Sequence, residues 1–186
     1  MLDCQQRPFV GALLPALLHA ALFGLAFPPA DLWWLAFLAP LPAAWAGVRT
    51  SGPLRTALAF ALLSLPLWAY HHRWTFPVSA AGFFPLVLNL ALYSAAFVWL
   101  LAIARRGLPR APLWVLAPVV WIGVETLQAK VLWNGYPWFL IAHPTIAWQG
   151  FAALASVIGV SGVGLLTVLQ NRQQPDARDA DDGRER

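Results

Sequence analysis

Between residues 1 and 171 the chain carries only three carboxylates, Asp3, Asp31 and Glu125, set among long apolar runs. Soluble domains carry roughly 25% charged residues, whereas this chain has 11%, with 60% hydrophobic residues and a mean hydropathy of +0.63. What charge there is collects at one end. Residues 172–186 hold five of the eight acids and four of the twelve basic residues. A body this poor in charge reads as a polytopic membrane protein. Its fold class is all-α, because a helix satisfies its own backbone groups in lipid.

A helix needs about 20 apolar residues to cross ~30 Å of hydrocarbon. On that measure six spans are expected, at 9–27, 32–48, 54–70, 83–104, 113–130 and 149–170. A broken or re-entrant stretch, 134–147, separates the fifth from the sixth. Two regions follow: a transmembrane domain over 1–170 and a polar tail over 171–186, too poor in apolar residues to order itself. The net charge of +4 is not a nucleic-acid footprint, since the basic residues lie singly or in pairs between apolar runs. Arg7, Arg49, Arg55, Arg105, Arg106, Arg110 and Arg172 fall on one side of such a bundle, and Arg73 and Lys130 on the other. The positive-inside rule then places both termini in the cytoplasm. Cys4 is the single cysteine, so there is no internal disulfide and no CxxC metal pair. The first apolar run ends in Phe27-Pro28-Pro29, a poor cleavage site, and reads as an uncleaved anchor.

Glu125 lies 12 residues beyond the start of the fifth span, which is ~18 Å along a helix axis. A carboxylate at that depth is costly and faces the protein interior. Gln128, at i+3, shares its face and is within reach of a hydrogen bond to it. Two roles remain open for Glu125: a tie between helices, or a reader of a lipid headgroup. Lys130 is placed to snorkel, and His19, alone on an apolar span, to bond a neighbouring helix. His71 and His72 are adjacent, so their side chains diverge, and no metal site or cofactor is expected. The segment Asn134-Gly135-Tyr136-Pro137 is a chain reversal by its chemistry. Trp133, Tyr136, Trp138, His143 and Trp148 around it are either an interfacial belt or the rim of a lipid-admitting cleft. The small residues Gly159, Ser161, Gly162 and Gly164 of the last span read as a close helix contact. There is no GxSxG, no HExxH and no phosphate loop. Glu125 and Lys130 are five apart, about 140° around a helix, and Cys4 lies across the membrane from both. No catalytic residue is expected.

Three stretches carry a resemblance. G-L-A-F-P-P-A-D-L-W-W-L-A-F-L-A-P-L-P at 24–42 looks like the first hairpin of apolipoprotein N-acyltransferases. W-I-G-V-E-T-L-Q-A-K-V-L-W-N-G-Y-P-W at 121–138 is similar to that family's W-x-x-x-E-x-x-R…G-[FY]-P-W segment, with Trp121, Glu125, Gly135, Tyr136, Pro137 and Trp138 matching. Gln149 followed by I-G-V-S-G-V-G-L-L at 158–166 resembles the family's Gln…G-V-Y-G-V-S-F-L. The chain departs from the pattern at Gln128, where the family has Arg.

The resemblance implies a bacterial inner-membrane protein of lipoprotein maturation. Family members transfer an acyl chain from a phospholipid to the N-terminal cysteine of a diacylated lipoprotein. They do so with a nitrilase-like domain whose Glu-Lys-Cys triad matches no position here. The expectation is therefore the membrane half of such an acyltransferase, truncated or split, inactive without a separate nitrilase-like chain. Its lipid-binding candidates are Glu125, Gln128, Gly135, Tyr136, Pro137, Trp138 and Gln149. The alternatives are a non-catalytic lipid- or protein-binding membrane protein and, ranked last, a small transporter. Only one helix interruption is visible, whereas transporters commonly show one in each repeat.

Overall fold

The computed structural model describes residues 8–131 and 135–169. Among them every regular element is helical. Helix α1 spans Pro8–Ala26, α2 Pro40–Arg49, α3 Pro53–His71, α4 Ala80–Gly107, α5 Leu113–Thr126, α6 Ala142–Thr145 and α7 Gln149–Leu169. Short 3-10 turns at Trp33–Phe37 and Arg73–Thr75 precede α2 and α4, and a π turn, Leu127–Val131, prolongs α5. Expectations for Cys4, Asp3, Trp133, Asn134 and the polar tail lie outside the described residues.

Local chemistry sets the helix ends. Proline opens both α2 and α3, where its missing N–H costs nothing and its fixed φ suits the first turn. Ser79 caps α4 by accepting the Gly82 N–H at 3.1 Å. Arg105 and Arg106 sit in the last turn of α4, where cations complement the helix dipole. Their guanidinium groups also tie that end of the bundle together. Arg105 donates to the Ala111 carbonyl at 2.6 Å, and Arg106 to those of Thr50 and Ser51 at 3.2 and 2.9 Å.

Among the described residues, three helices combine the length and hydropathy needed to cross a membrane: Phe9–Ala26 in α1, α4 and α7. The second expected span is not one helix. It is a 3-10 turn followed by the ten residues of α2, only ~15 Å long at 1.5 Å per residue. Pro40 accounts for the break, since it donates no N–H and its ring clashes with the carbonyl four residues back. The last span is interrupted as well, with Gly159 at φ 71 and ψ 172.

Helix α4 packs against α2, α3 and α5; α1 packs on α2 and α3; α7 lies against α5 and α6. Alanines line the inner contacts: Ala12, Ala16, Ala39, Ala43, Ala46 and Ala91 have essentially no exposed surface. Without a hydrophobic driving force between helices in lipid, such close backbone approach is what packs them. Gly47 carries this furthest, since a Cβ there would lie 3.2 Å from the Val98 carbonyl oxygen. Phe60, Phe97, Leu90 and Leu101 fill the remaining space. His19 bonds its neighbours as expected: Nδ1 donates to the Ala39 carbonyl at 2.7 Å, and Nε2 lies 3.4 Å from the Ser94 hydroxyl.

A pinned break beside an open cleft

At the C-terminal end of α5 the chain leaves helical form, and side chains from two helices take over the work of hydrogen bonding it. The π turn over Leu127–Val131 widens the helix and alters where its groups point. The Gln128 carbonyl accepts the N–H of Tyr136 at 2.8 Å. This closure requires Gly135 at φ 88, where a Cβ would collide with the Ala129 carbonyl.

Side chains then fix residues 136–141. Gln128, itself buried, donates from Nε2 to the Trp138 carbonyl at 2.9 Å. Glu125 Oε1 accepts the N–H of Ile141 at 2.6 Å. The Tyr136 hydroxyl donates to His72 Nε2 at 2.7 Å, and His72 Nδ1 donates to the Trp68 carbonyl at 3.0 Å. Burial raises the Tyr136 phenol above its ordinary pKa and lowers His72, one residue beyond α3, below the ordinary histidine value. Both shifts keep the proton on the tyrosine and leave the imidazole neutral, which is the arrangement this hydrogen bond needs.

Phe139 seats the middle of the break. It has φ 59, the left-handed region that bulky residues rarely adopt. Its ring lies 4.9 Å from those of Phe27 and His72, 5.2 Å from His71 and 5.5 Å from Trp68. On the other flank α7 closes over Glu125 because residue 164 is glycine: a Cβ there would lie 3.2 Å from Glu125 Oε2.

Two spaces adjoin Phe139. One, within the bundle, is a cavity of ≈ 30 Å³ whose lining includes His19, Ser94, Trp121, Glu125, Gln128 and Phe139. It has room for water and no more. The other is an open cleft of ≈ 530 Å³ between the Phe27-Pro28-Pro29 turn, the end of α3 and Phe139, within the size range of ligand sites. Phe139 is the wall between them.

The expected residues therefore divide. Glu125, Gln128, Gly135 and Tyr136 meet in one constellation, joined by the backbone of Trp138. The side chains of Trp138 and Pro137 are exposed, and Gln149 is exposed at the start of α7, outside these ties. Gln128, within reach of Glu125 on a regular helix, bonds Trp138 instead, because the π turn and the break bring main-chain groups within reach of both side chains. Of the small residues in α7, Gly164 makes the expected helix contact; a Cβ at Gly159 would meet nothing within 4 Å. His72, Phe139 and Ile141 belong to the constellation without having been singled out for it.

The description "Apolipoprotein N-acyltransferase N-terminal domain" belongs to the family model that matches residues 19–172. The chain belongs to the apolipoprotein N-acyltransferase family. The apolipoprotein N-acyltransferase of Photobacterium profundum is 31% identical over 171 residues, covering 86% of this chain and 32% of that protein. Its counterpart in Vibrio vulnificus is 30% identical over 184 residues, covering 88% of this chain and 32% of that protein. The chain thus spans about a third of the length of these N-acyltransferases, and the region shared contains the whole pinned break.

Proposed function

We propose that this chain is the membrane half of an apolipoprotein N-acyltransferase-like protein of the bacterial inner membrane. In this reading it crosses the bilayer six times with both termini in the cytoplasm. It admits phospholipid and diacylated lipoprotein to the face where the break lies. The acyl transfer itself, from phospholipid to the lipoprotein's N-terminal cysteine, is carried by a nitrilase-like Glu-Lys-Cys domain outside these 186 residues. The observation that carries the reading is the break, held at three points beside an open cleft in a family member. Non-helical backbone at membrane depth persists only where protein covers it or it lines a cavity. Within this scheme Glu125, Gln128 and Tyr136 position the wall of a lipid cleft, and Gly135, Pro137 and Trp138 form its turn. Gln149 stands at the edge of that region.

The test is N-acylation of a diacylated lipoprotein in cells depleted of their own N-acyltransferase. The chain alone is expected to give none. Co-expression with a nitrilase-like domain is expected to restore it. N-acylation by the chain alone, surviving Cys4→Ser, overturns the division of labour. Failure with every nitrilase-like partner overturns the acyltransferase reading.

A further inference from the structure

We propose that the cleft bounded by Phe27, Pro28, Pro29, Trp74 and Phe139 holds a phospholipid, and that Arg73 binds its phosphate. The inference rests on the lipid-handling role proposed above and names a site within it.

The lining sorts into two chemistries. Phe27, Pro28, Pro29, Trp74 and Phe139 offer apolar surface, while His71 and Arg73 supply the polar groups. An acyl or glycerol segment suits the first set, and an anion suits the guanidinium. Arg73 opens the 3-10 turn Arg73–Thr75, with His72 alone between it and α3. Tyr70 and Trp74 beside it are 48% and 65% exposed. Exposed aromatics of this kind settle at headgroup level, which puts the cation at the depth of lipid phosphates.

Arg73 is also held in advance. Its Nη1 donates to the Tyr70 carbonyl at 2.8 Å, and its guanidinium carbon stands 4.3 Å over the Tyr70 ring. An arginine has five N–H donors in a planar fork, and the Tyr70 carbonyl takes one. A fork that is already oriented loses less freedom on meeting an anion, and the remaining donors match the paired oxygens of a phosphate. Arg73 also lies at the opposite end of the bundle from the arginines that bond Ala111, Thr50 and Ser51. A neutral lipid fills the apolar part of the cleft equally well and leaves Arg73 unused. Charge complementarity is what selects the phospholipid.

The experiment uses the full chain in nanodiscs containing a trace of photoreactive phosphatidylglycerol or, separately, photoreactive diacylglycerol, which lacks the phosphate. Adduct yield is read by mass spectrometry on the peptides bearing Phe27 and Trp74. Arg73→Gln is expected to lower the phosphatidylglycerol adduct by about tenfold, the share of a charged hydrogen bond, and to leave the diacylglycerol adduct unchanged. Arg73→Lys is expected to fall between, since it keeps the charge and loses the fork. Size-exclusion profiles identify variants that fold. Equal phosphatidylglycerol adducts in the parent and Arg73→Gln overturn the proposal, as does an equal loss of both lipids. Capture of a diacylated lipopeptide in place of phosphatidylglycerol also overturns it. Because the readout is binding, it stands apart from N-acylation: a chain that binds as predicted but supports no acyl transfer refutes the enzyme reading alone.

Discussion

Glu125 shows how a carboxylate in an apolar span comes to hold backbone. Its Oε1 accepts the Ile141 N–H at 2.6 Å, and Ile141 is wholly buried. Removing the acceptor leaves a buried donor without a partner, which costs about 1–3 kcal/mol. Glu125→Ala is therefore expected to lower the unfolding midpoint in detergent clearly. Glu125→Gln, which keeps a carbonyl oxygen at the same reach, is expected to lower it by less than half as much. Thermal-shift measurements on the two variants check this. Half of the constellation was legible beforehand. A charge within an apolar run marks Glu125, and Asn-Gly-Tyr-Pro marks the turn. Ile141 was not legible, because it takes part through a main-chain amide that any residue supplies. Phe139 was not legible either, since one aromatic among many carries no pattern until the fold gathers Phe27, Trp68, His71 and His72 around it. His72 stands out in the sequence only beside His71, and its partner Tyr136 lies 64 residues away.

At the scale of the element, helical periodicity was a good guide where the helices stay regular and a poor one where they do not. The i+3 spacing pairs Glu125 with Gln128 on paper. The π turn starts at Leu127, between the two, and sends Gln128 to Trp138. Hydropathy alone also ran through Pro40 and joined a 3-10 turn and α2 into one span. The break after α5 is marked instead by residue chemistry, because Gly135 and Pro137 are incompatible with a continuing helix. Gly135 is the element's weak point by the same logic. At φ 88 with the Ala129 carbonyl in the way, an alanine is strained in both backbone and contact. Gly135→Ala is expected to destabilise the protein by about 1–3 kcal/mol and to raise proteolytic cleavage within 135–141. An equivalent Gly107→Ala control, at a site where a Cβ would meet nothing within 4 Å, is expected to change neither.

For the whole molecule, the all-helical class followed from composition, and membership of the N-acyltransferase family from three motifs spread along the chain. The architecture adds a polarity to the bundle. Arginines bonded to carbonyls close one end, and an aromatic cluster around Phe139 flanks an open cleft at the other. The excess of arginine at the first end predicts that it faces the cytoplasm. A reporter fused at residue 175 is expected to be active in its cytoplasmic form, and periplasmic activity there would reverse the placement of the cleft. In the proposed reading, Glu125 positions the wall of a lipid cleft and does not itself read a headgroup. Photoreactive-phospholipid labelling of the 135–141 peptide tests this most directly when parent, Glu125→Gln and Glu125→Ala are compared at equal amounts of folded protein. Equal labelling of the parent and Glu125→Gln is expected, with a clear loss in Glu125→Ala. Loss in Glu125→Gln as large as in Glu125→Ala, or labelling of Glu125→Ala at the parent's level, would contradict it.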